Sequence, residues 1–561
     1  MKNNKTITIE KTAELLNIST ATVHNWVRSG LLIKENHGIN TKSFEKLNNS
    51  IISGKTNRLN SRANKKTSAR TFIPDELLEN KNSEKEILSL LSQIKDSDID
   101  KFILELLKDE KLSINPEILY QSLKSEGGKS KEGSYYTPSE IITDILDDHN
   151  PKRNSKIYDP CCGTGQFLKT INNKCNEVQI YGTDIDFTAI KIAEHYLKAE
   201  NKNKFTLRNL DSLKIIEKNK YDIIVTNPPW GAHYSKVERK ILDEIFPEAD
   251  SGDSLEYFLL KGYHSLKKNG IMSFVLPESF LYVKRFSGIR KFFLDNSKIL
   301  KIKIYGRKFA KVFSEIIRID IQKSKTAENH EITIETDQKI KQSYFINEFD
   351  YRYNINTSEK ERKILKNIFS KQYVTLKDNA KWSLGIVTGN NAEFVSSEKT
   401  TNHTLPLVTG KNIDYFTIKG SVKYLTHNFK KLQQVPKNNL YEAKENLIYK
   451  FISNKLVFAY DNTGKYTLNS ANVLIPELKD YPIKVVMAIL NSDIINFIYH
   501  KKFNSLKVLR SNIERLPFPM NSDKKIIKEI EKKVDEILDG KYSSKNIIDE
   551  LVNQLYGISD F

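Results

Sequence analysis

The 561-residue chain carries a formal net charge of +19 at pH 7, and its length predicts roughly two to four domains with ample cores. No run of residues approaches the ~20 apolar positions of a membrane span, and the Lys- and Asn-rich start lacks the apolar core of a signal peptide. The three cysteines form no Cys-x-x-Cys pair, so neither a disulfide framework nor a metal site is indicated, and a reducing cytoplasm fits.

Two helices separated by a turn are predicted within residues 1–40. The apolar positions at helical spacing are Ala13, Leu16, Val23, Trp26 and Val27. Asn17 favours the turn, and Ser19 can cap the second helix. The pattern resembles the helix-turn-helix of MerR-like DNA-binding domains, which implies contact with a DNA groove or with phosphates. Binding of a protein is the alternative, and Trp26 is expected in the core rather than against a base.

The next two segments are predicted to carry no chemistry of their own. Residues 41–75 contain basic side chains among Asn, Ser and Thr, with no acidic residue between Glu45 and Asp75, which predicts a flexible basic linker. Such a linker is either a solvated tether or an arm that follows phosphates. Residues 76–125 show apolar spacing typical of helices and predict a small helical subdomain.

Acidic residues then follow successive predicted strands. The segment 157–168 predicts a strand ending near Asp159, a Gly-x-Gly turn at Gly163 and Gly165, and a helix, so that backbone N–H groups can approach a ligand. A second strand ends near Asp184, 19 residues after Gly165, the usual offset for an acid that binds ribose hydroxyls. Asp211 follows a third segment and could receive an adenine amino group. Acids at successive strand ends favour an adenosyl ligand at the edge of a parallel sheet.

A buried strand over residues 221–226 is predicted to end at the tetrapeptide Asn227-Pro228-Pro229-Trp230. The two prolines fix the backbone, so an amide acceptor, a rigid carbonyl and an aromatic face stand in one geometry. These groups suit a flat heteroaromatic amine. The alternative is a strand that merely stops at a Pro-Pro turn.

From about residue 130 to residue 555 the chain resembles the gamma-class adenine-N6 DNA methyltransferases of restriction–modification systems. The resemblance implies an α/β fold, with a Rossmann-like domain of mixed, mainly parallel sheet over residues 126–345. It implies S-adenosylmethionine as the cofactor and no metal. The residues that it assigns to the cofactor are Tyr136, Thr137, Asp159, Cys161, Gly163, Gly165, Asp184 and Asp211. The residues that it assigns to catalysis are Asn227, Pro228, Pro229 and Trp230. Trp230 stands where the family more often has Tyr, and it keeps a face for stacking.

Beyond the tetrapeptide, residues 255–266 predict a helix and residues 270–277 a buried strand. Residues 299–305 and 316–321 predict a pair of edge strands. Between them lies Phe313, at a place where the family has an aromatic ring against the extruded base. Phe313 is either that ring or a core residue.

The C-terminal part changes character. Short β-rich runs alternate with turns over residues 346–520, a pattern similar to the α+β target-recognition domain that the family fuses behind its catalytic domain. Residues 521–561 predict two helices that pack on this domain. Residues 1–70 carry 13 basic against 4 acidic side chains and residues 370–520 carry 21 against 11, whereas residues 71–369 carry 48 against 46. This distribution predicts a polyanion held by modules on either side of a near-neutral catalytic domain.

The resemblance therefore implies methyl transfer to N6 of a flipped-out adenine in duplex DNA, in the bacterial cytoplasm and at the nucleoid. Double-stranded DNA is the expected partner, with a separately encoded cognate restriction endonuclease as a second candidate and no membrane. Cytosine-N4 methylation is one alternative, but Asn in the first position with this motif order favours adenine. An RNA or protein-glutamine methyltransferase would not need the basic C-terminal module. A non-catalytic DNA-binding regulator would not need Asn227 and Asp184.

Overall fold

The computed structural model of the chain has two compact units, residues 1–64 with 356–561 and residues 65–355. The residues that it describes are 6–16, 23–24, 26–27, 32–35, 38–52, 99–108, 116–117, 120, 137–200, 202–215, 217–232, 234–306, 315–335, 338–436, 440–541 and 544–558.

The N-terminal part of the first unit is a small α+β module. Its elements are β1 (Thr6–Ile7), α1 (Ile9–Leu15), β2 (Lys34–Glu35), β3 (Gly38–Asn40) and α2 (Thr41–Ile52). The strands form an antiparallel sheet in the order β1-β3-β2, which the sequence did not predict. Trp26 is 6% exposed and packs with Ala13, Leu16 and Val23, so its predicted place in the core is confirmed. The turn between the predicted helices, residues 17–22, lies outside the described residues, and the helix-turn-helix stays a prediction.

Helix α2 corrects the predicted linker. Residues 41–52 were expected to be a flexible tether, but they form a helix whose Phe44 and Leu47 are buried in the N-terminal core. These two side chains lie three positions apart, on one face of a helix, and their burial outweighs the polar composition around them. Residues 53–98 lie outside the described part of the chain.

The second unit is a Rossmann-like domain. Its helices are α3 (Ile99–Leu106), α4 (Ser139–His149), α5 (Gln166–Lys174), α6 (Phe187–Glu200), α7 (Lys236–Ile245), α8 (Ser254–Ser265), α9 (Ser287–Asn296) and α10 (Ser343–Ile346). Its strands are β4 (Lys156–Asp159), β5 (Gln179–Asp184), β6 (Lys204–Asn209), β7 (Tyr221–Thr226), β8 (Leu266–Pro277), β9 (Lys298–Gly306), β10 (Ile316–Gln322), β11 (Glu331–Ile334) and β12 (Gln338–Lys341).

These nine strands form one sheet in the order β12-β11-β9-β10-β8-β7-β4-β5-β6. The pairs from β6 to β8 are parallel, β10 is antiparallel to both neighbours, and β11 is parallel to β9. The predicted mixed, mainly parallel sheet is therefore confirmed. The predicted pairing of β9 with β10 is also confirmed, but neither is an edge strand. β8 pairs with β10, and the hairpin of β11 and β12 covers β9.

The sheet buries apolar side chains on both faces. Strand β7 has buried residues at five of its six positions, because helices cover a central parallel strand from both sides. Two clusters form the core: one includes Ile224, Met272 and Phe274, and the other includes Ile157, Val225 and Val275. The unit ends at Ile355, rather than at the predicted residue 345, because Tyr353 and Ile355 are buried in the first cluster.

The C-terminal part of the first unit is α+β, as predicted. Its strands are β13 (Tyr373–Val374), β14 (Ala380–Ser383), β15 (Val395–Ser396), β16 (His403–Val408), β17 (Lys423–Thr426), β18 (Asn446–Lys450), β19 (Phe458–Asp461), β20 (Tyr466–Thr467), β21 (Ala471–Pro476) and β22 (Phe518–Pro519). Its helices are α11 (Glu359–Ser370), α12 (Asn391–Phe394), α13 (Ile483–Asn491), α14 (Asp493–Phe503), α15 (Arg510–Ile513), α16 (Lys524–Leu538) and α17 (Lys545–Tyr556).

Two four-stranded sheets, β14-β21-β18-β19 and β15-β17-β16-β20, organise this part of the unit. The predicted C-terminal helices are α16 and α17. They pack on the domain as expected, since Tyr556 is buried and its hydroxyl donates to the carbonyl of Pro517 at 2.5 Å.

Candidate active site

The carboxyl ends of three neighbouring parallel strands bring the predicted motifs together. β4 ends at Asp159, β5 ends at Asp184, and β7 ends one residue before Asn227. The Thr226 hydroxyl donates to Oδ1 of Asp159 at 2.6 Å, and the N–H of Gly163 donates to Oδ2 of Asp184 at 2.8 Å. The glycine loop, residues 160–165, is thus held at both sides: the residue before it is bonded to β7, and its Gly163 is bonded to the last residue of β5. This edge is where α/β proteins with open parallel sheets bind ligands.

The glycine loop adopts a backbone that favours glycine. Gly163 and Gly165 have φ angles of 50° and 86°, in the left-handed region. A Cβ on Gly165 would lie 2.7 Å from Cβ of Ala193 in α6, so a side chain there would push the helix away. A Cβ on Gly163 would meet no atom of the described residues within 4 Å, so this side of the loop is open with respect to that part of the chain. A ligand can approach the backbone there.

Asp184 and Asp211 stand next to each other beyond β5 and β6. The Asp184 carbonyl accepts from the N–H of Leu210 at 2.9 Å, which places Asp211 beside the end of β5. The Asp211 carboxylate accepts from the N–H of Leu213 at 3.1 Å and pairs with Lys214 at 3.1 Å. Ile185, directly after Asp184, is 70% exposed. An acid beside an exposed apolar side chain and an open glycine backbone fits a nucleoside ligand.

Asp159 lies beneath the loop rather than at its surface. It is 1% exposed and accepts hydrogen bonds from Thr226 and from the N–H of Cys161, at 2.6 and 3.1 Å. Burial raises the pKa of its carboxyl from the ordinary 3.8 to about 7, although both hydrogen bonds lower it. These contacts suit a residue that shapes the loop.

Cys161 lies between the glycine loop and the tetrapeptide. Its Sγ is 2.9 Å from the Thr226 hydroxyl and 3.8 Å from the Asn227 carbonyl oxygen. Burial raises the pKa of the Cys161 thiol well above its ordinary value. A thiol that stays protonated is a poor nucleophile, which agrees with the interpretation of this residue as part of the loop.

The side chain of Asn227 is oriented by the segment before α4. Its Nδ2 donates to Oγ1 of Thr137 at 3.1 Å, and Thr137 is 4% exposed. Two of the predicted groups, one assigned to the cofactor and one to catalysis, are therefore in direct contact. Trp230 is half-buried and packs against both core clusters.

Ser254 was not predicted, and it holds the turn after the tetrapeptide. Its hydroxyl donates to the carbonyl of Pro229 at 2.9 Å and accepts from the N–H of Ala232 at 3.0 Å. Ser254 is fully buried at the start of α8, directly after Asp253, whose side chain caps the helix at the N–H of Leu255. A helix N-cap signal at Asp253 was readable in the sequence, but the contact with Pro229 was not.

Two predicted site residues lie outside the described part of the chain: Tyr136, in residues 121–136, and Phe313, in residues 307–314. Within the described residues, no group of three His, Cys, Asp or Glu side chains is placed to hold a metal ion. No helix among them is both long enough and apolar enough to cross a membrane.

Comparison with known proteins assigns the chain to a family. The model of the family described as N-6 DNA Methylase matches residues 115–387, and the model described as TaqI-like C-terminal specificity domain matches residues 405–518. The Type II methyltransferase M.VspI of Vibrio sp. (strain 343) is 30% identical over 420 residues, which are 72% of this chain and 96% of that protein. The chain belongs to the N-6 DNA methylase family. It is an S-adenosylmethionine-dependent DNA methyltransferase that acts on adenine.

Two further matches of this N-6 DNA methylase have lower sequence identity. The Type II methyltransferase M.HincII of Haemophilus influenzae is 23% identical over 388 residues, which are 63% of this chain and 74% of that protein. Among solved structures, a DrdV–DNA complex aligns with a TM-score of 0.49 at 13% identity, covering 94% of this chain and 70% of that one.

The described residues fit the cofactor of the family. Gly163 offers an open backbone, and Asp184 and Asp211 offer carboxylates at neighbouring strand ends. Thr137 is in contact with the first residue of the tetrapeptide, so a methionine moiety near Thr137 would bring its sulfonium close to Asn227.

Proposed function

We propose that Asn227 and Pro228 hold the amino group of a target adenine and that Trp230 stacks on its ring, as in the gamma class. The contact between Asn227 and Thr137 carries this proposal. Because Nδ2 of Asn227 donates to Thr137, the amide is oriented, and Oδ1 is the end that can accept from the N6 amino group. Pro228 is buried two residues after the end of β7 and is followed by a second proline, so its carbonyl is held in place.

The chemistry follows from the weakness of the nucleophile. The N6 lone pair of adenine is delocalised into the ring, and two acceptors that hold both amino hydrogens can turn it out of conjugation. Bound S-adenosylmethionine supplies the electrophilic methyl group. The residues that hold it in this proposal are Thr137, Asp184, Asp211 and the backbone of the glycine loop. Most of the rate then comes from orientation, because in-line transfer needs no strong base.

The target adenine must leave the helix to reach this site. A stacked and paired base does not expose its amino group to a recessed pocket, and enzymes that act on bases extrude them. We therefore propose that the target base is flipped out. The test replaces the target adenine in a duplex by 2-aminopurine and measures its fluorescence. Binding of the protein should raise the fluorescence several-fold, and a duplex with 2-aminopurine two positions away should stay dim. Equal signals from both duplexes would contradict base flipping.

Recognition of the DNA sequence is proposed for residues 346–520. The specificity-domain match at residues 405–518 and the local excess of basic side chains support it. The N-terminal module, with residues 1–40 as its proposed extent, is assigned phosphate contacts, and binding of a protein is its alternative. A separately encoded endonuclease is a proposed partner, supported by the similarity to Type II methyltransferases.

A further inference from the structure

Glu117 and Tyr120 contact the two loops of the candidate cofactor site. Both side chains are 3% exposed. Tyr120 packs with Ile99 and Ile103 of α3 against Ala189 and Ile192 of α6, the helix that follows Asp184. The sequence assigned no chemistry to this region. Its polar atoms nevertheless face the glycine loop and the loop after β5.

Glu117 contacts the glycine loop directly. The Thr164 hydroxyl donates to Oε1 of Glu117 at 2.8 Å. Thr164 stands between Gly163 and Gly165, the two residues with left-handed backbone. A hydrogen bond to a carboxylate at the middle of this turn fixes the loop where its open side faces the ligand.

Tyr120 contacts the loop that carries the ribose acid. Its hydroxyl donates to Asp186 at 2.8 Å to Oδ2 and 3.1 Å to Oδ1. The N–H of Asp186 donates to Oδ1 of Asp184 at 2.9 Å, and Oδ2 of Asp184 accepts from Gly163 at 2.8 Å. Burial, with the nearby charge of Asp186, raises the pKa of Tyr120 far above its ordinary 10, so the hydroxyl stays a donor.

These bonds form a closed circuit. It runs from Tyr120 through Asp186 and Asp184 to Gly163, and it returns through Thr164 to Glu117, three positions before Tyr120. This circuit fixes the distance between the glycine loop and Asp184. In the proposed cofactor site, these two groups contact different parts of the bound cofactor.

We infer that Glu117 and Tyr120 are positioning residues that set the affinity of this enzyme for S-adenosylmethionine. The inference rests on the proposed cofactor site at Gly163 and Asp184. Neither residue touches the cofactor in this account. They act through Thr164 and Asp186. Without them, the two loops are no longer held at the spacing that the cofactor needs. Part of the binding free energy then restores this spacing, and the affinity falls.

The test is calorimetric titration of S-adenosylmethionine into the full-length protein and its variants. Tyr120→Phe keeps the ring in its apolar cluster and removes the hydroxyl, and Glu117→Leu keeps much of the side-chain volume and removes the acceptor of the Thr164 hydroxyl. Each should raise the Kd about tenfold, and raise the KM for the cofactor with kcat at saturation within about twofold. The matched control is Tyr221→Phe, which removes a tyrosine–carboxylate bond to Glu217, 2.6 Å long, at the far end of β7.

A structural role alone would lower the melting temperature of Tyr120→Phe and Tyr221→Phe alike and leave both Kd values within twofold of wild type, which would overturn the inference. The double variant Tyr120→Phe with Asp186→Ala should weaken binding no more than Asp186→Ala alone, because either change removes the hydrogen bond between Tyr120 and Asp186, and additive effects would also overturn the inference. Asp184→Ala distinguishes the two proposals. If it leaves the Kd unchanged, the proposed cofactor site is wrong; if it weakens binding while Tyr120→Phe and Glu117→Leu do not, only the positioning role is wrong.

Discussion

Asn227 and Thr137 are separated by 90 residues of sequence, and a hydrogen bond of 3.1 Å joins Nδ2 of the first to Oγ1 of the second. The bond fixes which end of the Asn227 amide faces Thr137. It also ties the end of β7 to the residues that precede α4. The orientation of the proposed catalytic acceptor is therefore set by a segment far from the tetrapeptide.

Replacing Thr137 by Val should lower kcat about tenfold, because the Asn227 amide loses the acceptor that orients it. Thr137→Ser retains the hydroxyl and should keep most of the activity. Single-turnover methyl transfer with saturating cofactor separates this effect from any loss of cofactor binding. Equal rates for the Val and Ser variants would show that the hydrogen bond does not orient the amide.

Replacing Ser254 by Ala should also lower kcat about tenfold, with the Kd for DNA and for cofactor within about twofold of wild type. The reason is that Ser254 bridges the Pro229 carbonyl and the Ala232 N–H, and without it the turn after the catalytic residues can shift. Ser251→Ala is the control, since Ser251 donates to Glu256 in the same loop without touching the tetrapeptide. A loss of activity shared by both variants would indicate a general loosening of the loop.

The Asp159 carboxyl should make stability depend on pH. Its pKa is about 7 in the folded protein against an ordinary 3.8, so between these values the folded state keeps a proton that the unfolded chain has released. This contribution to stability is complete below pH ~3.8 and is lost as the pH rises through about 7. We expect on the order of 3 kcal/mol to be lost over this range relative to Asp159→Asn.

Denaturant unfolding of wild type and Asp159→Asn at several pH values between 5 and 8 measures the difference. Asp222→Asn serves as the control. Asp222 lies on β7, but its carboxylate pairs with Lys267, whose side chain is 42% exposed. A wild-type protein that gains stability over Asp159→Asn as the pH rises would contradict the predicted sign.

The two basic regions should contribute differently to DNA binding. Deleting residues 1–70, which carry 13 basic and 4 acidic side chains, should weaken binding and flatten its salt dependence while the methylated sequence stays the same. Exchanging residues 370–520 for those of a related enzyme should change the methylated sequence. Affinity measured over a salt series, with sequencing of methylated sites, tests both. New sites after the deletion would mean that the N-terminal module reads bases.

The sequence predicted the site best where the signal is local. Asp159, Asp184 and Asn227 each follow an apolar run, so the end of a strand and its polar residue were read together, and the structure brings them to one edge. Contacts between distant segments left no such pattern. Ser254 against Pro229 and Tyr120 against Asp186 depend on how helices pack. The misjudged edge strand has the same cause, because β11 pairs directly with β9 in the sheet although β10 lies between them in the sequence.

Asn227→Ala tests the account most directly. The measurement is single-turnover methyl transfer to duplex DNA, with N6-methyladenine quantified by mass spectrometry of the nucleosides. Because Asn227 supplies an acceptor that matters most in the transition state, we expect the rate to fall by at least about 100-fold while the Kd values for cofactor and DNA stay within about threefold. A variant that methylates adenine at a near-normal rate would show that the active site is not at the carboxyl end of β7.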